Sequence, residues 1–398
     1  MTSTTTIPRT DLDPYTDASI TDPYPVYGAL RDIAPVTYLT SHQVHCAARY
    51  DEVYAALHRH GTFVSGEGVG LTDALNKAQK GSSFTSDPPY HANVRGLVAR
   101  HLKPRAMADI TGYVTSWADR LVKDLVERGS FDAVQDFAVA FPLAVVPDLL
   151  GWPEDEGKER LLEWASAGFN AFGPMNDRTR AGLPLLGEMS EFLHRMSQPG
   201  NLRPGSWGAE LVSEAREGKI EDKLLPGLLG DFLAPSMDTS VSALSSMLWL
   251  LGEHEDQWLR LKEDPSLIPS AFNEIIRLES PLRGFTRHVA EDTELGGAQL
   301  PRGSRVLLLF GSANRDERFW KDPESFDVGR PGVAQHVGFG HGIHACVGQA
   351  LSRLEGQSLL AALVRHVGRI EVSKPTWRLH NTIRGIERMD VTFHGQAS

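Results

Sequence analysis

Cysteine is scarce in this sequence of 398 residues, in which only Cys46 and Cys346 occur. Two cysteines cannot build the disulfide framework of a small secreted protein, so we expect a cytoplasmic protein. Basic residues are too few for a nucleic-acid surface, because 40 lysines and arginines stand against 51 aspartates and glutamates. No apolar run approaches the roughly 18 residues that favour a membrane span. The polar N-terminal stretch also lacks the apolar core of a secretory signal. We therefore expect neither a nucleic-acid partner nor a membrane.

Hydrophobic residues make up 41% of the chain, which is enough for a large core. Apolar residues recur at helical spacing in several runs between residues 88 and 282, clearest in 110–127, 161–172 and 224–251. Short strands are predicted at 36–39, 44–49 and 306–310, and within 369–394. Residues 62–86 are predicted to form a long ordered loop. No linker divides the chain. We predict a mostly helical protein with minor β structure (α+β), one domain over residues 1–398, and a loose arm at residues 1–12.

The stretch FGHGIHACVGQALSRLE, residues 339–355, places one cysteine in a glycine-rich loop just before a predicted helix. A thiolate at this point is stabilised by backbone N–H groups and by the positive end of the helix, as a soft metal ligand requires. The alternative interpretation is a buried cysteine in a turn. The pattern F-x-x-G-x-x-x-C-x-G is met by Phe339, Gly342, Cys346 and Gly348. It resembles the haem-binding loop of the cytochrome P450 family, whose cysteine thiolate is the axial ligand of the iron.

A second run, DPPYHANVR, places His91 and Arg95 four residues apart on one helix face, as two donors for anionic groups. A solvated basic face is the alternative. The run resembles the segment in which the family's His and Arg hold a haem propionate. Arg287 in GFTRHV and His344 resemble further propionate donors. The resemblance thus implies haem b as the cofactor, with Cys346 as the metal ligand and these four side chains around it.

A third group is the E-x-x-R pair of Glu274 and Arg277, followed downstream by Arg330. Such a pair occurs by chance in most proteins, where it forms a surface contact between residues three apart. In the family these three residues form a buried charge network behind the cysteine loop. Removing one member of a buried network costs about 3–5 kcal/mol, because the remaining charges lose their partner.

The run APSMDTS places Asp238 and Thr239 inside a long apolar helix. Polar groups there are costly unless they are used or hydrogen-bonded, and a pair satisfied by its own backbone is the alternative. The pair resembles the acid and alcohol that relay protons to dioxygen in the family, so both residues are predicted to be catalytic. The chain departs from the family just before them, with Pro235 and Ser236 where alanine and glycine are usual.

Several runs, GFNAFGP, RGFTRHV, GSANRD, GHGIHACVGQ and NTIRG, resemble the type of cytochrome P450 that O-demethylates para-methoxybenzoate. By position, the resemblance predicts a flat apolar slot for one substituted benzene ring, lined by Phe84, Phe169, Phe172, Pro235, Leu282 and Phe285. Phe169 and Phe172 share a helix face, for which core packing is the alternative. That type clamps the carboxylate with an arginine–serine pair, where this chain has Gly230 and Asp231. Asp231 repels a carboxylate and accepts a hydrogen bond from a phenol or alcohol.

The resemblance implies the cytochrome P450 fold, a helical prism with small β-sheets around haem, and a monooxygenase that uses O2 and two electrons. The expected reaction is O-demethylation of a methoxyphenol with release of formaldehyde. No flavin or nicotinamide fingerprint is present, so we expect a separate ferredoxin and an NADH- or NADPH-dependent reductase. Lys103, Arg105 and Arg353 are candidate ferredoxin contacts, or ordinary surface charges. Two other hypotheses stay open: a hydroxylase of a para-substituted benzoate, terpenoid or fatty acid, and a non-catalytic haem protein that binds small ligands.

Overall fold

The computed structural model describes residues 6–153, 158 and 160–396. The helices are α1 Asp17–Thr21, α2 Tyr24–Ile33, α3 Tyr50–His58, α4 Asp73–Ala78, α5 Tyr90–Ala99, α6 Pro104–Arg128, α7 Ala140–Leu150, α8 Arg160–Asn170, α9 Asp177–Met196, α10 Trp207–Arg216, α11 Leu225–Glu253, α12 Glu255–Glu263, α13 Ile268–Glu279, α14 Phe310–Ala313 and α15 Gln349–His366. A π-helical segment, Ala133–Val139, leads into α7. Short 3₁₀ turns lie at Arg100–Leu102, Asp222–Leu224, Pro265–Leu267, Val333–Gln335 and Gly342–His344.

The strands are short. They are β1 Arg9–Thr10, β2 Val36–Leu39, β3 Val44–Ala47, β4 Phe63–Val64, β5 Ser130–Asp132, β6 Gly284–Val289, β7 Thr293–Leu295, β8 Ala298–Leu300, β9 Arg305–Leu309, β10 Val367–Val372, β11 Thr376–Trp377, β12 Ile386–Arg388 and β13 Asp390–Gly395. The largest sheet has the order β1-β2-β3-β9-β6-β4, in which β3 and β9 run parallel and β6 and β9 antiparallel. The predicted α+β class is confirmed.

Part of the N-terminal arm is held in this sheet, which corrects the prediction of a loose arm. β1 pairs in parallel with β2, and Arg9 lies opposite Tyr38. The amide of Tyr38 donates to the carbonyl of Pro8 at 2.8 Å, and the amide of Thr40 to that of Thr10 at 3.0 Å. Residues 1–5 of the arm lie outside the described residues.

The stretch 62–86 is not only a loop, because it contains β4 and the short helix α4. The side chain of Asn76 in α4 accepts from the amide of Gly70 at 2.9 Å and donates to its carbonyl at 3.0 Å. These two bonds fold the segment back on itself beside the cavity described below. The strand predicted at 306–310 ends one residue earlier, since Phe310 begins α14.

Helix α11 lies in the middle of the molecule and connects two apolar cores. Its first half packs with residues of α5, α8, α9 and α10. Its second half packs with residues of α6, α7, α13 and α15. Residues 231–240 lie between the two cores, where the helix borders a cavity. The π-helical segment and α7 together, Ala133–Leu150, have the length and composition of a membrane span, but 61% of this window is buried, so this is weak evidence for one.

Candidate active site

A cavity of about 660 Å³ lies between α11 and the glycine-rich cysteine loop. Cys346 lines one end, and Thr239 of α11 lines the same space. Asp231, two helical turns earlier on α11, also borders the cavity. The cavity therefore places a thiol, a hydroxyl and a carboxyl around a common volume walled largely by apolar side chains.

The cysteine loop is fixed by backbone bonds and by glycine. The amide of Cys346 donates to the carbonyl of Phe339 at 2.7 Å, which closes the loop. Gly342 has a φ of +71°, and a Cβ there would lie 2.5 Å from the carbonyl oxygen of Leu57 at the end of α3. Only glycine permits both this backbone conformation and this close approach.

Two sets of effects act in opposite directions on the pKa of the Cys346 thiol. Burial raises its pKa, whereas the backbone N–H groups of Gly348 and Gln349 and the cations Arg95 and Arg353 lower it. A bound metal cation favours the thiolate further, because a coordinating thiol is deprotonated. The loop thus supplies donors that stabilise a thiolate, and a bound metal would offset the cost of burying its charge.

Four donor side chains gather beside the loop, and among the described residues no carboxylate forms an ion pair with any of them. The ring nitrogen Nε2 of His91 and both ring nitrogens of His344 are buried without a hydrogen-bond partner, and the two rings lie 4.2 Å apart. Within the part of the chain that the structure describes, Arg95 and Arg287 donate to backbone carbonyls alone, those of Ala345 and Thr286. Burial lowers the pKa of Arg287 to about 10 and that of His344 to about 3. Such a cluster of unpartnered donors is costly unless an anionic group completes it.

These residues fit haem b. The Cys346 thiolate would hold the iron, and the four donors would hold the two propionate carboxylates, which supply the missing acceptors. Phe339 and Gly348 both border the same end of the cavity. The structure thus brings together all seven residues that the sequence predicted to bind the cofactor.

Behind the loop, Glu274, Arg277 and Arg330 form a buried network. Arg277 donates to both carboxylate oxygens of Glu274, at 2.7 and 2.8 Å, and Arg330 donates to one of them at 2.8 Å. The carbonyl of Asn314 accepts from Arg277 at 2.7 Å, and its side chain accepts from the amide of Val337 at 2.8 Å. The network therefore reaches the start of the cysteine loop through one asparagine.

The predicted acid–alcohol pair faces two directions. The hydroxyl of Thr239 lines the cavity and donates to the carbonyl of Pro235 at 2.6 Å. Asp238 is buried but does not border the cavity. Its carboxylate forms an ion pair with Arg378 and lies 3.5 Å from Nε2 of His380. In this conformation only Thr239 meets the cavity.

His380 is not a counter-ion of Asp238, although the distance alone suggests an ion pair. Burial lowers the pKa of His380 to about 3, so the ring is neutral. Its Nδ1 accepts from the amides of Thr382 and Ile383, and its Nε2 donates to the carbonyl of Ser166 at 3.1 Å. Arg378, which is partly exposed, is therefore the cation that balances Asp238.

Arg378, His380 and Glu355 belong to the site but were not predicted from the sequence. The first two lie in a C-terminal segment without a recognisable motif. Glu355 lies on α15, nine residues after Cys346, and borders the cavity. Burial raises its pKa to about 8, against a hydrogen bond with Ser240 that lowers it. The sequence did carry one signal for Glu355, because it is the single acid in α15. Burial of an unpaired carboxyl is costly, so such an acid is expected to have a role.

The predicted substrate residues meet in one wall of the cavity. The ring of Phe172 lies 5.6 Å from Phe84, 6.1 Å from Phe169 and 5.2 Å from Phe285, each edge to face. Leu282 packs against the same cluster. Pro235 of α11 also borders the cavity. These side chains form one aromatic wall of the cavity, which we call the aromatic slot.

Asp231 borders the same cavity and contacts the residue next to Phe84 of this slot. Its Oδ2 accepts from the amide of Ser83 at 3.2 Å. Burial raises the pKa of Asp231 to about 6, while the bond from Ser83 and the charge of Arg95 lower it. Part of its surface is exposed, but that part faces the cavity. Among the described residues, no side chain forms an ion pair with it.

The turn between α8 and α9 lies over the aromatic slot and is tied to the C-terminal segment by Asn381. The side-chain amide of Asn381 donates to the carbonyl of Asn170 at 3.1 Å. Its oxygen accepts from Asn176 at 2.8 Å and from Arg178 at 2.9 Å. Arg178 also pairs with Asp17 at 2.6 Å. We call this turn, residues 171–176, the roof.

Of the candidate ferredoxin contacts, Lys103 and Arg105 are exposed. Arg353 is half-buried, with its guanidinium 4.8 Å from the centre of the Phe339 ring. It also donates to the side chain of Gln349 at 2.8 Å. Its charge therefore supports the cysteine loop more directly than it faces the surface.

Comparisons with known proteins agree with this geometry. The family model described as Cytochrome P450 matches residues 209–372. Cytochrome p450 CYP199A2 of Rhodopseudomonas palustris is 39% identical over 390 residues, covering 97% of this chain and 94% of the relative. The beta-dihydromenaquinone-9 omega-hydroxylase of Mycobacterium tuberculosis is 32% identical over 390 residues, covering 96% and 78%.

The fold is shared with solved structures. The structure of cytochrome P450 CREJ in complex with (4-ethylphenyl) dihydrogen phosphate superimposes with a TM-score of 0.85 at 25% identity, covering 96% of this chain and 99% of that one. The cofactor of these enzymes is haem b, ligated by a cysteine thiolate, and they use O2. The chain belongs to the cytochrome P450 family and is a haem-thiolate monooxygenase of the bacterial type.

Proposed function

We propose that this monooxygenase O-demethylates a small methoxy-substituted phenol or benzylic alcohol. The observation that supports the proposal is the position of Asp231 in the cavity beside the phenylalanine slot, where its carboxylate accepts from Ser83 and, among the described residues, pairs with no cationic side chain. A carboxylate so placed favours a ring substituent that donates a hydrogen bond. The ring then lies along the slot with its other end toward Cys346.

Electrostatics decides between a phenol and a benzoate at neutral pH. Two negative charges roughly 4 Å apart repel by about 4 kcal/mol at an effective dielectric constant of 20. A hydrogen bond to a charged acceptor instead contributes about 1.5–3 kcal/mol. Both terms favour the neutral hydroxyl over the carboxylate next to ionised Asp231.

When bound, haem with O2 and two electrons supplies the oxidising power. The chain holds the ring between Phe172 and its neighbours and keeps water from the methoxy carbon. The hydroxyl of Thr239 donates a hydrogen bond to the Pro235 carbonyl. Its oxygen can therefore accept a hydrogen bond from a donor in the cavity. Oxidation of the methoxy carbon by one oxygen atom gives a hemiacetal, which releases formaldehyde and leaves a hydroxyl on the ring. The second oxygen atom leaves as water, with two protons and two electrons consumed.

Bacterial cytochromes P450 of class I receive electrons from separate redox proteins. We propose an acidic ferredoxin, because Lys103 and Arg105 are exposed on segments next to the haem-binding α5. A matched pair of variants, Lys103→Gln and Arg105→Gln, should slow ferredoxin-dependent reduction without changing substrate affinity.

A second candidate substrate is a para-substituted benzoate. Lys80, Arg95 and Lys223 also line the cavity, and these cationic side chains favour an anion. The similar structure of CREJ holds (4-ethylphenyl) dihydrogen phosphate, an anionic para-substituted ring. Asp231 opposes this candidate at neutral pH.

Substrate titration of the haem-loaded protein at neutral pH tests the proposal. Methoxyphenols of the guaiacol and syringol type and 4-methoxybenzyl alcohol should give a tighter high-spin shift than 4-methoxybenzoate. With NADH and surrogate redox partners, the same compounds should release formaldehyde. A tighter shift with 4-methoxybenzoate would refute the proposal.

A further inference from the structure

Asp231 is surrounded by charged groups that are engaged elsewhere. The cavity around it is lined from four directions, by Lys80 before Phe84, Arg95 of α5, His194 of α9 and Lys223 before α11. Arg95 donates to the carbonyl of Ala345 and acts on Asp231 only through space.

The other three side chains, Lys80, Lys223 and His194, also have partners of their own. Lys80 pairs with Glu67 at 2.8 Å, and Lys223 pairs with Glu221 at 2.6 Å. Nδ1 of His194 lies 2.9 Å from the carbonyl oxygen of Ser190 in the same helix. A carboxyl in an aromatic cavity without a bound cation is therefore free to lose or gain its proton with the ligand it meets.

We propose that Asp231 selects between two classes of ring substituent by its charge state. When ionised, it accepts a hydrogen bond from a phenolic or benzylic hydroxyl. When protonated, it donates a hydrogen bond to the carboxylate of a para-substituted benzoate, which the ionised form repels. The preference of the cavity therefore changes with pH. This inference rests on the proposed function for the orientation of the ring, with its polar substituent toward Asp231.

The two ligand classes must respond to pH with opposite sign. Burial raises the pKa of Asp231 to about 6. A hydroxyl ligand needs the ionised acid, so its affinity should fall roughly fourfold from about pH 7.5 to about pH 5.5. A benzoate needs the protonated acid, so its affinity should rise roughly 25-fold over the same change. Both ligands keep their own charge in this range.

The experiment titrates the haem-loaded protein with three ligands matched in shape: 4-methoxybenzyl alcohol, 4-methoxybenzoate and 4-methylanisole. The last carries no polar substituent at the Asp231 end, so its affinity should not change with pH. Dissociation constants come from the spin shift. Calorimetry in buffers of different ionisation enthalpy counts protons independently of the haem spectrum. Benzoate should take up about one proton at about pH 7.5, and the alcohol should release most of one at about pH 5.5.

Two variants assign the effect. Asp231→Asn keeps the size and an acceptor for Ser83 but cannot ionise, so both pH dependences should disappear and benzoate should bind more tightly at neutral pH. His194→Gln removes the histidine that lines the same cavity. It should leave both dependences in place.

Parallel pH responses of alcohol and benzoate in the wild-type protein would overturn the inference, and so would responses that survive in Asp231→Asn or vanish in His194→Gln. These results are distinct from a failure of the proposed function. Tighter binding of benzoate at neutral pH refutes methoxyphenol preference even when the pH responses are opposite. Parallel responses refute the role of Asp231 even when methoxyphenols release formaldehyde.

Discussion

Replacing Glu274 by glutamine tests how the charge network behind the cysteine loop holds the site. Glu274 accepts from Arg277 through two bonds and from Arg330 through a third. It also accepts from the amide of Asp327 at 3.1 Å. Glutamine has the same size, but it carries no charge and places an NH2 group where one carboxylate oxygen now accepts.

The expected loss is large because these groups are almost completely excluded from water. The side chains of Glu274 and Arg277 have 0% exposure and that of Arg330 has 8%. Leaving a buried charge without its partner costs about 3–5 kcal/mol. The upper end applies, since one carboxylate balances two guanidinium groups. Against a total stability of about 5–15 kcal/mol, Glu274→Gln removes a third or more. It also loosens Asn314, which holds the start of the cysteine loop.

Urea unfolding followed by far-UV circular dichroism measures the loss, and the Soret absorbance per protein measures retained haem. Glu274→Gln should shift the midpoint strongly and lower haem retention. The control is Glu217→Gln, which removes the exposed pair with Lys219 and should leave both measurements unchanged. A Glu274→Gln protein with the wild-type midpoint and slope would show that the network does not stabilise the fold.

Three further predictions concern the cavity. Thr239→Ala removes the hydroxyl that faces it, so peroxide formed per NADH should rise while substrate affinity holds; unchanged coupling refutes this role. Phe172→Ala removes one ring from the cavity wall, and a ring–ring contact contributes roughly 0.5–1.5 kcal/mol, so spin-shift titration should show single-ring ligands binding roughly two- to twelvefold more weakly; wild-type affinity would contradict the slot. Glu355 has a pKa raised to about 8, above an unfolded value of about 4.3. Unfolding free energy should therefore fall as pH rises toward 8, by at most about 1.4 kcal/mol per pH unit, and Glu355→Gln should flatten this slope in urea titrations.

The parts of the molecule that were predictable from sequence are those fixed by local spacing. The cysteine loop depends on glycines and a helix start within ten residues, so Cys346 and its neighbours carry their own signal. Glu274 and Arg277 lie one helical turn apart and meet for the same reason. The comparisons confirm the family, the α+β fold, the cofactor and the monooxygenase class, whereas the methoxyphenol substrate stays a proposal.

The features that sequence reasoning missed depend on distant partners. β1 forms because Arg9 and Thr10 pair with β2. α4 is held in place by the hydrogen bond between the Gly70 amide and the Asn76 side chain. Neither segment has an apolar period of its own. The motif also did not predict that Asp238 points away from the cavity. Consecutive helix positions point about 100° apart, so Asp238 and Thr239 cannot face the same way. The counter-ion of Asp238, Arg378, lies 140 residues further along the chain.

The segment that carries Arg378 and His380 also carries Asn381, which ties the roof over the aromatic slot. One short stretch of chain thus contacts both the roof and Asp238 of α11. Because Arg378 and Asn381 lie three residues apart, the position of the roof and the charge balance of Asp238 depend on the same segment. A substitution that shifts this segment should therefore disturb the fit of a ligand and the ion pair of Asp238 together.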